Sequence, residues 1–176
     1  MRKVLYILGQ LSDEDIDWMV RVGRRLDFPA EHDLIHGGVP IADLFILLTG
    51  SASVIVERAG TIRRLGPGEV IGEMSLVDDR PPSASIRLGE PSTLLAIDRE
   101  ILRQKLSADT GFAARLYRAL AMFLADRLRT NTLLLGYGQL GQEEEDPDEL
   151  TGAVLDSVHL AGARFQDTIR RLMAKN

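Results

Sequence analysis

No cysteine occurs in the 176 residues, so disulfides, thiolate nucleophiles and cysteine-ligated zinc are excluded together. Histidine is nearly as scarce, with three in the chain. Neither a Gly-x-Ser-x-Gly elbow nor a Gly-Lys-Ser/Thr phosphate loop occurs. On that inventory no catalytic residue is assigned and an enzyme is not expected. His32 and His36 stand four apart around Asp33, a spacing that on a helix would suit a metal. Pro29 before them and Gly37-Gly38 after them point instead to strand or loop, so no metal site is expected. His159, beside an apolar stripe, reads as an interface or surface residue. No run approaches the roughly 18 apolar residues of a membrane span, and Met1 to Tyr6 is too short and interrupted for a signal peptide. A cytoplasmic location without membrane contact is the expectation. An excess of positive charge is also missing: 21 Lys and Arg face 26 Asp and Glu, a net of -5, which disfavours nucleic acid as a direct partner. What is present is an ordinary globular composition, 45% hydrophobic and 27% charged, enough for one substantial core.

Leu11-Ser12-Asp13-Glu14-Asp15-Ile16 reads as a helix start, with Ser12 as N-cap, acids in the first turn and Leu11 placed to staple onto Ile16. Ile16, Met19 and Val20 form its buried stripe, and Phe28-Pro29-Ala30 breaks the helical period. Short apolar runs cut by turns follow. Strands are expected at Leu44 to Leu48, Ser53 to Glu57, Thr61 to Leu65, Glu69 to Ile71, Ser83 to Leu88 and Thr93 to Ile97, a spacing that suits an antiparallel roll or jelly roll. From Arg99 the period is helical again, with Phe112, Leu116, Leu120, Phe123, Leu124 and Leu128 on one stripe and a stop near Gly136-Tyr137-Gly138. Gln142 to Asp148 is a like-charge run with a proline, read as a solvated linker. Leu150, Val154, Val158, Ala161, Phe165, Ile169 and Leu172 then mark a last amphipathic helix, with Arg170, Arg171 and Lys175 at its C-terminal end. The expected class is α+β, divided into 1–138 (a roll with an N-terminal and a long helix), 139–148 (acidic linker) and 149–176 (terminal helix).

The stretch Gly66-Pro67-Gly68-Glu69-Val70-Ile71-Gly72-Glu73-Met74-Ser75-Leu76 carries the chemistry. Gly72 permits a turn or a close approach to a ligand, Glu73 offers a carboxylate to sugar hydroxyls, and Ser75-Leu76 can open a helical turn whose free amides face an anion. That combination suits a sugar phosphate. The competing reading is a strand-to-turn corner whose glycines serve geometry alone.

Together with Phe28-Pro29-Ala30 and Phe45-Ile46-Leu47-Leu48-Thr49-Gly50, these segments fall in the order and spacing of the cyclic-nucleotide-binding domain family, which the chain resembles from about Leu11 to Gly138. The resemblance implies a β-roll and a phosphate-binding cassette in which Gly72 and Glu73 hold the ribose. Ser75, Leu76 and Ser83 would meet the phosphate, with Met74 and Ala84 completing the set. It also implies a long helix that packs on its symmetry mate in a homodimer, with Arg127 orienting Glu73, and Asn131 and Thr132 reaching the base. The family usually places an arginine immediately before the Ser-Ala pair, where it binds the cyclic phosphate; here that position is Pro82, which has neither charge nor amide proton. Arg80 and Arg87 are the nearby substitutes, each equally readable as a solvated surface arginine.

The layout resembles cyanobacterial stand-alone receptors of this family, some of which answer to cyclic di-GMP. A cyclic dinucleotide could use several of Arg58, Arg63, Arg64, Arg80 and Arg87, although Arg63 and Arg64, adjacent on a strand, face opposite ways. Cyclic di-GMP is therefore ranked ahead of cyclic AMP, with a ligand-free dimeric interaction platform next; no cofactor is expected. Catabolite-activator-type factors continue into a winged helix-turn-helix domain that needs more than the roughly forty residues left after the long helix. Gln139 to Asn176 carries eight acids against four Lys or Arg, a net of -4, so direct DNA binding is not expected and the output is assigned to a partner protein such as a related transcription factor.

Overall fold

A computed structural model describes residues 9–137 and 152–173. Its elements in chain order are α1 (Asp13–Val22), β1 (Arg24–Phe28), β2 (Asp33–Ile35), β3 (Asp43–Thr49), β4 (Ala52–Val56), β5 (Gly60–Leu65), β6 (Val70–Ile71), α2 (Glu73–Asp78), β7 (Ser85–Leu88), β8 (Ser92–Asp98), α3 (Arg99–Ala108), α4 (Thr110–Tyr137) and α5 (Gly152–Met173). The strands form two antiparallel four-stranded sheets, ordered β1-β8-β3-β6 and β2-β7-β4-β5. This is the expected α+β roll. The linker 139–148, together with Leu150, His159 and Lys175, lies outside the described residues or their described side chains.

Strand alternation sorts the core into two layers. On β3 and β8, Phe45, Leu47, Leu94 and Ala96 point into the roll and join Ile35, Val54, Leu65, Ile86 and Leu88. Their neighbours Leu44, Ile46, Leu48, Leu95 and Ile97 point outward, where helical residues including Ile16, Met19, Val20, Leu102, Phe112, Leu116, Leu120, Phe165 and Leu172 cover them. Because both faces are covered, these two strands read as almost continuous apolar runs.

α1 starts as its sequence dictates: the Ser12 hydroxyl accepts from the Asp15 amide at 3.2 Å, and the Asp15 carboxylate accepts from the Ser12 amide at 2.8 Å. It stops sooner than the Phe28-Pro29 break suggests. A Cβ on Gly23 would lie 2.2 Å from Leu95 Cδ1, so the chain can pass this close to β8 only as glycine, and Arg24–Phe28 continues as a strand against β8.

The helical stretch expected from Arg99 is two helices joined at Asp109. The Asp109 side chain accepts from the Phe112 amide at 2.9 Å, an N-cap bond that opens α4, and receives Lys105 Nζ at 2.7 Å. The expected apolar stripe of α4 divides. Phe112, Leu116, Leu120 and Phe123 are buried within this chain, Phe112 edge-on to Trp18 at 5.3 Å, whereas Leu128 is 68% exposed. α5 returns across α1, burying Phe165 and Leu172 while Arg164 binds Asp13 at 2.8 Å and Arg171 binds Asp17 at 2.5 Å. Among the described residues no helix is long and apolar enough to cross a membrane.

Candidate functional site

A concavity of about 490 Å³, its open mouth included, lies between the inner face of the β2-β7-β4-β5 sheet and α2. The space open to a water-sized sphere within it is about 80 Å³, less than the roughly 300–1,000 Å³ of small-ligand sites, so most of the volume is the open mouth. Its apolar wall is Ile35, Leu65, Val70, Ile71 and Ile86; its polar groups come from Glu73, Ser75, Ser83 and Arg127.

Gly72 makes the corner. It adopts φ 91°, and a Cβ there would strike Ile41 Cδ1 at 2.6 Å, so glycine is required by conformation and by space alike. The corner opens α2, whose first turn has no side-chain cap. Glu73 is the first residue of that helix and only 3% exposed. A buried carboxylate needs a partner, and Arg127 supplies it from α4, Nη1 donating to Glu73 Oε1. Phe123, one helical turn earlier, places its ring 5.7 Å from the same guanidinium. The ion pair that the resemblance implied is thus present.

On the far side, Pro82, Ser83 and Ala84 close the rim. The Pro82 carbonyl accepts from the Gly38 amide at 2.8 Å, and Ser85 Oγ accepts from the Gly37 amide at 2.9 Å, so the loop after β2 is tied to this rim. No guanidinium lines this end among the described residues.

Of the residues singled out in the sequence, Gly72, Glu73, Met74, Ser75, Ser83, Ala84 and Arg127 come together here. Leu76, Arg80, Arg87 and Thr132 do not line the concavity. Leu76 buries its side chain in the outer core layer. Arg80 is 84% exposed beside Asp78. Arg87 faces outward because Ile86 and Leu88 on either side of it face in; its Nε and Nη2 donate to the two Asp33 oxygens at 2.6 and 3.0 Å. That guanidinium holds the Asp33 carboxyl below the usual carboxylate range. Arg63 is engaged by Glu69 at 2.7 Å, while Arg64 beside it is exposed. Thr132 is exposed and returns its hydroxyl to the Leu128 carbonyl at 2.9 Å; the Asn131 side chain is outside those described. The wall residues Ile35 and Ile86 were missed, although the alternation of Ser85-Ile86-Arg87-Leu88 already marks Ile86 as inward.

Residues 25–109 match the family model for the cyclic nucleotide-binding domain. The roll belongs to that family. A cyclic nucleotide-binding domain of Methylobacillus flagellatus has the same fold, with a TM-score of 0.70 at 27% identity over 80% of this chain and 84% of its own. The catabolite activator protein of Thermus thermophilus aligns with a TM-score of 0.59 at 26% identity over 93% and 83%. In sequence, the cyclic AMP receptor protein of Thermus thermophilus is 32% identical over 94 residues, 51% of this chain and 44% of that protein. The chain spans between 14% and 44% of the length of the curated relatives it matches.

Proposed function

We propose that this protein is a cytoplasmic receptor for a nucleotide second messenger and signals through a partner protein. The observation that carries the reading is the Glu73 carboxylate, buried in the wall of the concavity and oriented there by Arg127, an acceptor of the kind that ribose hydroxyls require. The kinship with a cyclic AMP receptor protein supports it. The arginines required by a cyclic dinucleotide are engaged elsewhere or exposed, Arg63 on Glu69, Arg87 on Asp33 and Arg80 beside Asp78. This reverses the order expected from the sequence and favours a cyclic mononucleotide, cyclic AMP first. Its phosphate would rest on the Ser83 hydroxyl and nearby amides without a charged partner, which forfeits roughly 1.5–3 kcal/mol of a charged hydrogen bond.

Self-association is assigned to the outer face of α4. Tyr117, Ala121, Leu124 and Leu128 recur at helical spacing there, with Tyr117 46% and Leu128 68% exposed. A partner such as a related transcription factor would read the arrangement of α4 or α5, and a ligand shifts it only by its difference in affinity for the two states.

The test is calorimetric titration with cyclic AMP and, separately, cyclic di-GMP, on wild type, Glu73→Gln and Pro82→Arg. Cyclic AMP binding is expected to weaken about tenfold or more in Glu73→Gln and to tighten about tenfold or more in Pro82→Arg, given the cost of a charged contact. Silence in wild type and in Pro82→Arg overturns the receptor reading. It would favour a second one, an interaction platform with a degenerate pocket, which the uncharged rim at Pro82 supports.

A further inference from the structure

Arg99, the first residue of α3, lies outside the pocket and yet touches three of the parts that shape it. Its side chain is 11% exposed. Nη1 donates to the Ile41 carbonyl at 2.8 Å, and Nη2 donates to the Ser75 carbonyl within the cassette helix. Ile41 is the residue packed against Gly72, and Ser75 lines the pocket, so one side chain ties the corner's backing to the cassette. Nη2 also reaches Asp79 Oδ1 at 3.2 Å, and Arg103, one turn further along α3, donates to the same oxygen. Asp79 ends α2 with φ 59°, a left-handed conformation sparsely used by residues with a side chain and tolerated best by Asp and Asn. Two arginines from one helix thus meet on a carboxylate held in an uncommon backbone state. Arg99, Arg103 and Asp79 do not line the concavity.

The cassette is consequently gripped at both ends by successive helices: at Glu73 by Arg127 of α4, and at Ser75 and Asp79 by Arg99 and Arg103 of α3. We propose that Arg99, Arg103 and Asp79 are positioning residues that fix the geometry of the cassette. Removing the charge at Asp79 would loosen the cassette while leaving the sheets intact. The claim deepens the receptor reading, but its first test requires no ligand.

That test is amide hydrogen exchange on the full chain without nucleotide. In Asp79→Asn, which keeps a residue suited to φ 59°, exchange over 73–79 is expected to rise about tenfold, with β3 and β8 as unchanged internal controls. Arg103→Gln should behave alike and Arg103→Lys should remain closer to wild type. The double variant Asp79→Asn/Arg103→Gln should be little worse than either single one, as for groups acting through one contact. Unchanged exchange in this segment, or an equal rise across β3 and β8, overturns the proposal. The second arm is calorimetric titration with cyclic AMP: where wild type binds, Asp79→Asn should weaken binding about fivefold, and unchanged affinity would limit the cluster to a structural role and overturn the claim on positioning. Where wild type is silent towards cyclic AMP, the exchange result alone decides the role of the cluster.

Discussion

The two sheets have the same number of strands and differ in what covers them. β3 and β8 are buried along their interiors because helices close one face and the roll closes the other. In the second sheet β5 is exposed over most of its length, and Arg87 stands in water between two buried neighbours. The first sheet is a scaffold, with stability concentrated in tightly packed side chains. The second is a half-covered wall whose inner face lines the concavity.

Substitutions of unequal weight can break that contrast. Phe112→Ala, in the helix-covered layer where the ring is fully buried, should cost about 3–5 kcal/mol in urea unfolding. Ile86→Ala, which enlarges a concavity already open to water, should cost about 2 kcal/mol and change nucleotide affinity as well. Equal costs would show that both halves carry the stability. Asp15→Asn comes next. Burial by itself raises the Asp15 carboxyl, but Arg115, bound through two hydrogen bonds of 2.6 and 2.9 Å, and the Ser12 cap more than offset this and hold it below its ordinary value. A carboxyl lowered by folding contributes stability that is present above its unfolded pKa and is lost as pH falls through the folded one. Asp15→Asn should therefore cost about 1–2 kcal/mol at pH 7, and its gap to wild type should close as pH drops below about 4. A gap that persists in acid would assign the loss to packing. The smallest effect is expected for Arg87→Ala on the exposed sheet face, with no measurable shift in urea midpoint.

The covered sheet was also the more legible one. Leu44 to Leu48 and Thr93 to Ile97 were placed within two residues of β3 and β8 because long apolar runs have few other homes. β1 was missed because three of the five residues of Arg24-Arg25-Leu26-Asp27-Phe28 are charged, which an edge strand pairing only with β8 tolerates. The break at Asp109 lacks an adjacent proline; its signal was Asp109 three residues ahead of Phe112, a capping pattern within an otherwise periodic stretch. At the site, Gly72, Glu73 and Arg127 were recognised through resemblance, because Arg127 lies 54 positions after its partner and no local pattern joins them. The Arg99 and Asp79 cluster was invisible for the same reason. Arg80 and Arg87 were singled out for nearness along the chain, which says nothing of the face a side chain takes.

The pairing of Asp15 with Arg115 spans 100 positions. At synthesis rates of about 5–20 residues per second, the first helix waits roughly 5–20 s on the ribosome for its partner. During that interval the outward side chains of β3 and β8 lack the cover that α4 and α5 supply, and Glu73 has no arginine. The chain therefore emerges with its apolar face only partly covered and its concavity unfinished, and a chain stalled ahead of Arg127 would be a substrate for chaperones.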